Sequence, residues 1–244
     1  MDFADLLFFS AEIIGTIAFS VAGSLVAIRR ELDIFGTVVV GGVTAVGGGC
    51  LRDILLGNLP PAMFINPVYA IVAAVVSVLV FTIEYFFPAE KVLASKRYES
   101  IVNIFDALGL AVFVVVGINS AKNCGYGDNA FLSVFVGVLT GIGGGIIRDL
   151  LVKTVPMILR KQVYALPAII GGIIYYCMDA FGINEIISVI ITIIFIVTIR
   201  ILAAVLRWNL PKIRKKESDE TKDTVTKCTS PVKTDNRKKR PPMV

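Results

Sequence analysis

The sequence predicts an all-α integral membrane protein in which seven transmembrane helices form two inverted three-helix repeats followed by a seventh helix. The chain is strongly apolar, with 56% hydrophobic residues and a mean hydropathy of +0.80. Its apolar segments recur at about the 20 residues that a helix needs to cross a bilayer. A glycine-rich phrase also occurs twice, as TAVGGGCLRDILL at residues 44–56 and as TGIGGGIIRDLLV at residues 140–152.

Seven apolar segments mark the predicted spans, and charged, proline or glycine residues separate them. The spans are expected at residues 6–28, 34–57, 66–87, 102–121, 129–152, 162–180 and 184–207. The first segment begins acidic and lacks a basic n-region and a small-residue cleavage site, so it is interpreted as a span rather than a signal peptide. Repeat one is placed at 6–88, repeat two at 102–180 and the seventh helix at 184–207, within a transmembrane domain of residues 1–208.

The charge is concentrated in the last part of the chain. Residues 209–244 carry a net charge of +6, whereas residues 1–208 carry −1. This Lys-rich segment has almost no large apolar side chain and cannot form a core, so we predict a disordered basic tail. Contact of the tail with anionic lipid is an alternative to plain solvation.

The distribution of Lys and Arg predicts the orientation, because cytoplasmic loops carry the excess of these residues. The loops after the third and fifth spans, the pair Arg29-Arg30 and the tail are basic, whereas the opposite loops carry only Lys122. The N-terminus is therefore expected outside and the C-terminus in the cytoplasm of a cell membrane.

The similarity between the two halves extends beyond the glycine phrase. Glu12-x-x-Gly15 matches Asp106-x-x-Gly109 at an offset of 94, and the glycine phrases match at an offset of 96. Each repeat holds three spans, and an odd number makes the second copy enter the membrane from the opposite side.

Three consecutive glycines weaken a helix by roughly 1 kcal/mol each, so we expect both helices to be interrupted there. Matching breaks in two repeats are typical of a transport pathway near the membrane midplane, and helix carbonyls freed there can coordinate a cation. Close packing of small residues is the alternative explanation. The candidate pathway residues are Thr44, Gly47, Gly48, Gly49, Thr140, Gly143, Gly144 and Gly145. Ser20 and Ser24, one helical turn apart, are candidates for either a polar pathway face or helix packing.

Ionisable residues inside spans cost roughly 3 kcal/mol each at the membrane centre and are functional candidates. We predict two acid–arginine pairs near the two mouths of the pathway, Glu12–Arg52 and Asp106–Arg148. Since adjacent residues do not face each other on a helix, the arginines are not expected to pair with Asp53 and Asp149, which need partners elsewhere or snorkel to the headgroups. Arg200 is interpreted as an ordinary cytoplasmic anchor.

Several functional classes are not indicated. The chain has no His, and its four cysteines show no metal-ligand spacing. No pairing of nucleophile and base and no phosphate-binding or nucleic-acid signature stands out. We therefore expect neither an enzyme nor a cofactor, apart from K⁺ or Na⁺ bound transiently.

With the doubled GGGxxRD phrase, the Glu/Asp-x-x-Gly openings and the three-plus-three-plus-one layout, residues 6–207 resemble a prokaryotic-type member of the trimeric intracellular cation (TRIC) channel family. The resemblance implies a homotrimer in membrane lipid, with one pore in each protomer. It further implies that kinked helices two and five line that pore, and that potassium and other monovalent cations permeate passively.

Two alternatives stay open at the level of sequence. Members of this family have also been labelled glycine transporters, and half-helix N-termini would suit the carboxylate of a small amino acid. A non-transporting membrane scaffold, in which the glycines serve only trimer packing, is the other alternative.

Overall fold

The computed structural model describes residues 3–87, 96–160 and 164–206. Within these residues the chain forms nine α-helices and one π-helical turn, without strands. The helices are α1 (Phe3–Arg29), α2 (Ile34–Leu56), α3 (Ala62–Ile65), α4 (Val68–Phe86), α5 (Lys96–Ala121), α6 (Ala130–Leu151), α7 (Met157–Arg160), α8 (Leu166–Ala180) and α9 (Glu185–Val205). The π-turn Lys122–Tyr126 follows α5. The predicted disordered tail lies outside the described residues.

The two glycine-rich helices start and stop at local capping signals. The Asp33 carboxylate accepts a hydrogen bond from the Gly36 amide at 2.7 Å, and Asn129 caps α6 in the same way through the Leu132 amide. Gly57 ends α2 in the left-handed conformation at φ 73°, which glycine adopts without a steric penalty. These caps place both helices close to their predicted bounds.

Six of the described helices, α1, α2, α4, α5, α6 and α9, are long and apolar enough to cross a membrane. The described part of the predicted span at 162–180 is shorter, because α8 has only 15 residues. Such a helix is about 22 Å long, less than the roughly 30 Å of a hydrocarbon core. The structure therefore has six candidate spans and one shorter apolar helix.

The centre of the bundle consists of α1, α2, α5 and α6. In its most apolar window α5 is 72% buried, whereas α4 is 11% buried. Phe19 of α1 and Phe113 of α5 meet with ring centroids 5.3 Å apart. Each ring also lies against a glycine of the other helix, Phe113 on Gly15 and Phe19 on Gly109. The same phenylalanine–glycine contact thus occurs twice between α1 and α5, once with the phenylalanine from each helix.

Helices α2 and α6 cross at their triple glycines, and each glycine accommodates a different group. A methyl group at Gly48 would overlap the Thr140 carbonyl oxygen, and one at Gly144 would overlap the Thr44 carbonyl oxygen. The preceding glycine of each helix faces an aliphatic side chain of the other: Ile147 lies against Gly47 and Leu51 against Gly143. The two backbones therefore touch at the crossing.

The predicted interruption of these helices is wrong. Both are α-helical throughout, and neither glycine triplet contains a residue with positive φ. Helical glycine costs only about 1 kcal/mol per residue, and backbone contact across the crossing offsets that cost. The carbonyl groups before the glycines thus stay within uninterrupted helices.

Candidate functional site

Four side chains from α1, α2 and α4 form what we call the Glu12 cluster. Arg52 Nη1 lies 3.1 Å from Glu12 Oε1, and Arg52 Nε lies 2.8 Å from Asp53 Oδ1. The Tyr69 hydroxyl donates a hydrogen bond to the second Glu12 oxygen. Asp53 Oδ2 accepts a hydrogen bond from the Ala62 amide at 2.8 Å, which ties the cluster to the start of α3.

Five side chains form a second group, the Asp106 cluster. Arg148 Nη1 lies 2.8 Å from Asp106 Oδ1, and Arg148 Nε lies 2.9 Å from Asp149 Oδ1. Arg200 of α9 brings Nη2 within 2.9 Å of Asp106 Oδ2, and its guanidinium carbon lies 3.8 Å from the centre of the Tyr164 ring. Asp106 therefore contacts two guanidinium groups, one on each carboxylate oxygen.

Two expectations about these charges are wrong. Arg52 and Arg148 do pair with the aspartates that follow them, since a long arginine side chain can turn its Nε toward the adjacent carboxylate. The outer oxygens of Asp53 and Asp149 each bind a backbone amide beyond the end of the helix, so neither aspartate snorkels. Arg200 is not a surface anchor, because it is 7% exposed and bound to Asp106.

The clusters differ in charge and burial. The Glu12 cluster has two carboxylates and one guanidinium, a formal charge of −1, whereas the Asp106 cluster has two of each and is neutral. The Glu12 side chain is 19% exposed, whereas the Asp106 and Arg148 side chains are fully buried. Helix α9 causes this difference, because its Arg200 has no counterpart in the first half.

A small, partly open cavity lies beside the Glu12 cluster. Polar, small, sulfur-containing and aromatic side chains of α1–α5 surround it. They are Glu12, Thr16, Ala45, Val46, Gly49, Cys50, Arg52, Asp53, Ala62, Met63, Tyr69 and Phe113. The last glycine of the first triplet therefore lines the cavity, and the corresponding Gly145 faces the Tyr164 hydroxyl.

The candidate threonine hydroxyls face their own helices. Thr44 Oγ1 donates to the Val40 carbonyl at 2.6 Å, and Thr140 Oγ1 donates to the Val136 carbonyl at 2.7 Å. Both side chains are fully buried. Thr44 is also close to Gly23 of α1. In this conformation neither hydroxyl lines the cavity.

The two candidate serines contact neighbouring helices. Ser20 Oγ donates to the Ala73 carbonyl at 2.8 Å and lies 3.0 Å from Ser77 Oγ. Ser24 Oγ lies close to Gly41 of α2 and has no hydrogen-bond partner among the described residues. These contacts favour helix packing over a polar face of the pathway as the role of Ser20 and Ser24.

Sequence reasoning missed three members of the clusters. Tyr69 and Tyr164 lie 95 residues apart, between the repeat offsets of 94 and 96, and the match of Tyr69-Ala70 with Tyr164-Ala165 was the available signal. Arg200 gave no such signal, because it lies outside both repeats and 94 residues from Asp106.

Both halves of the chain match known proteins. The family described as "Glycine transporter" matches residues 9–85 and 103–180, one match in each repeat. The UPF0126 inner membrane protein YadS of Escherichia coli (strain K12) is 37% identical over 206 residues, covering 84% of this chain and 94% of YadS. The UPF0126 membrane protein YvgT of Bacillus subtilis (strain 168) is 36% identical over 203 residues, covering 82% of this chain and 93% of YvgT.

Solved structures match the same region. The TRIC trimeric intracellular cation channel orthologue from Rhodobacter sphaeroides superposes with a TM-score of 0.75 at 31% identity, over 83% of this chain and 99% of that one. A prokaryotic TRIC channel crystallised in 0.5 M KCl gives 0.74 at 33% identity, over 84% and 99%. The chain belongs to the TRIC channel family.

Membership in the TRIC family settles two broader points. The similar TRIC structures are cation channels, and this TRIC-family member is not an enzyme. Its apolar helices and its inner-membrane relative also make it an integral inner membrane protein.

Proposed function

We propose that this TRIC-family protein is a passive, potassium-permeable channel for monovalent cations, assembled as a homotrimer with one pore in each protomer. The main support is the cavity at the Glu12 cluster. The Glu12 cluster has a formal charge of −1, which attracts cations. The cavity beside it reaches α2 at Ala45, Val46 and Gly49. Oxygen atoms at such a mouth attract an ion while still letting it leave.

We propose that the pathway continues from this cavity along the α2–α6 crossing toward the Asp106 cluster. Thr44, Thr140 and the two glycine triplets lie along that route, with the charged clusters at its two ends. Because the backbones touch at Gly48 and Gly144, conduction through this plane requires the two helices to move apart.

The proposed architecture is an inverted repeat, 6–88 and 102–180, plus the helix at 184–207. The exchanged contacts of Phe19 with Gly109 and of Phe113 with Gly15 support it, because a twofold axis generates such reciprocal pairs. We place the N-terminus outside, the C-terminus in the cytoplasm, the channel domain at 1–208 and the basic tail at 209–244.

A second candidate function is a carrier for a small zwitterion such as glycine. The family description "Glycine transporter" favours it, and the cavity offers both a guanidinium, from Arg52, and a carboxylate, from Glu12. Against it, these two groups already bind each other at 3.1 Å. A zwitterion would have to break this pair to bind both groups.

Planar-bilayer recording tests the proposal. The purified protein is incorporated under a KCl gradient, and glycine is added afterwards. Unitary current steps that reverse near the K⁺ equilibrium potential are the expected result. A silent bilayer together with saturable glycine uptake into liposomes would instead establish the carrier. A protein that assembles but shows neither activity would be a scaffold, and both transport proposals would fail.

A further inference from the structure

Two phenylalanine rings lie between the cavity at the Glu12 cluster and the crossing of α2 and α6. Phe113 of α5 lines the cavity, and its ring packs on that of Phe19 of α1 with the centroids 5.3 Å apart. Phe19 Cδ2 in turn lies 3.4 Å from the position that a Cβ of Gly144 would take. The order of contacts from the cavity to the crossing is therefore Phe113, Phe19 and Gly144.

Both rings rest directly on backbone. A Cβ at Gly15 would lie 3.1 Å from the Phe113 ring, and a Cβ at Gly109 would overlap the Phe19 ring. Phe19 is fully buried, and Phe113 is 5% exposed. Since each ring is seated on the helix that carries the other ring, a large displacement of either one requires α1 and α5 to shift.

The surroundings of the two rings are apolar. Ala45, Leu110 and Val114 are buried in the same hydrophobic cluster as the pair. An apolar constriction stops ions because water leaves it and an ion then loses its hydration shell on entry. The acidic cavity attracts a cation as far as Phe113, and beyond that ring the route is dry.

We propose that Phe19 and Phe113 form a hydrophobic gate, which closes the pathway between the Glu12 cavity and the α2–α6 crossing. The gate rests on the proposed channel function and adds to it the place at which conduction is interrupted. It opens when the two rings separate and water fills the space between them. The small residues of α1 and α5 hold the rings in place, and the rings themselves form the barrier.

Matched replacements of Phe113 test the gate in planar bilayers that contain the purified full-length protein. Methionine and glutamine are similar in length and volume, but only glutamine has an amide that hydrogen-bonds water well. Phe113→Gln should therefore raise the open probability by about tenfold over Phe113→Met, because it hydrates the constriction. If the ring only fills the core, the two variants should have the same open probability once assembled.

The same comparison at the other ring keeps the test independent of one variant. Phe19→Gln should likewise open more often than Phe19→Met, so the gate can be tested even where a glutamine at Phe113 prevents assembly. The matched control is Phe135 of α6, which is 48% exposed. Its glutamine and methionine variants should have equal open probabilities.

The recordings distinguish failure of the gate from failure of the channel. Equal open probabilities for glutamine and methionine at both gate positions, in a protein that conducts K⁺, would overturn the gate and leave the channel standing. An increase of the same size at Phe135 would also overturn the gate. No K⁺ current from the unsubstituted protein or from any assembled variant would overturn the channel proposal itself.

Discussion

Among individual residues, Asp106 is a fully buried carboxylate that is paired with two arginines. Its two carboxylate oxygens lie 2.8 and 2.9 Å from two arginines, and its side chain is fully buried. Buried charges are tolerated when they are paired, and removing one partner leaves the other uncompensated. Glu12 has one arginine partner and partial access to solvent.

Replacing Asp106 by Asn should therefore destabilise the protein strongly, because Arg148 retains only Asp149 and Arg200 loses its described ion-pair partner. The cost expected for breaking a buried pair is about 3–5 kcal/mol. Thermal unfolding of the detergent-purified protein measures it. Glu12→Gln is the matched control and should shift the midpoint less, since Arg52 keeps Asp53. Equal shifts in the two variants would contradict the electrostatic difference between the clusters.

For the helices, the principal contact is the crossing of α2 and α6. The middle glycine of each triplet meets the carbonyl oxygen of the other helix's threonine. A backbone oxygen cannot move aside as a flexible side chain can. The crossing therefore depends on the absence of a Cβ at Gly48 and Gly144.

Gly48→Ala and Gly144→Ala should each destabilise the bundle by about 1–3 kcal/mol through overpacking. Gly42→Ala on the same helix is the control, because nothing lies within 4 Å of its Cβ position. Alanine should stabilise that position by up to about 1 kcal/mol. Unfolding midpoints of the three variants measure the effects, and a Gly48→Ala protein as stable as Gly42→Ala would refute the contact.

The same glycines test the pathway. In a Gly48→Ala protein that still assembles, we expect an altered single-channel conductance, because the wider crossing changes the proposed route. Bilayer recordings of this variant and of Gly42→Ala measure the difference. Normal conductance in an assembled Gly48→Ala protein would remove the crossing from the pore.

The sequence predicted the long helices better than their contacts. Apolar length and the charged, proline or glycine residues between apolar segments are local properties, and they located α2 and α6 closely. The glycine triplets were misinterpreted because their helix-weakening cost is visible in sequence, whereas the carbonyl that packs on each glycine is contributed by the other repeat. Arg200 was misassigned for a similar reason: its partner lies on another helix, and no repeat position pointed to it.

At the scale of the whole molecule, orientation is the broadest prediction. Cys124 is exposed in the π-turn between α5 and α6, which the charge rule places outside. In a Cys177→Ser protein, a membrane-impermeant maleimide should label Cys124 in intact cells, and replacing Cys124 by Ser as well should remove that signal. Labelling of Cys124 only after permeabilisation would reverse the assigned orientation.

The proposed assembly has a direct test. Native mass spectrometry of the detergent-purified protein should give a mass of three 26.4 kDa chains. Chemical cross-linking in native membranes, followed by denaturing electrophoresis, provides the control against detergent effects. A monomer by both methods would contradict the homotrimer.

Arg200 makes the two charged clusters unlike. The Glu12 cluster carries an excess negative charge and is partly exposed, while the Asp106 cluster is neutral and buried with a second guanidinium from α9. In the proposed channel these clusters are the two mouths of the pathway. An ion approaching from either side would therefore meet a different energy profile. In equal KCl solutions such a conductor should rectify, passing larger current at one polarity of the voltage than at the other.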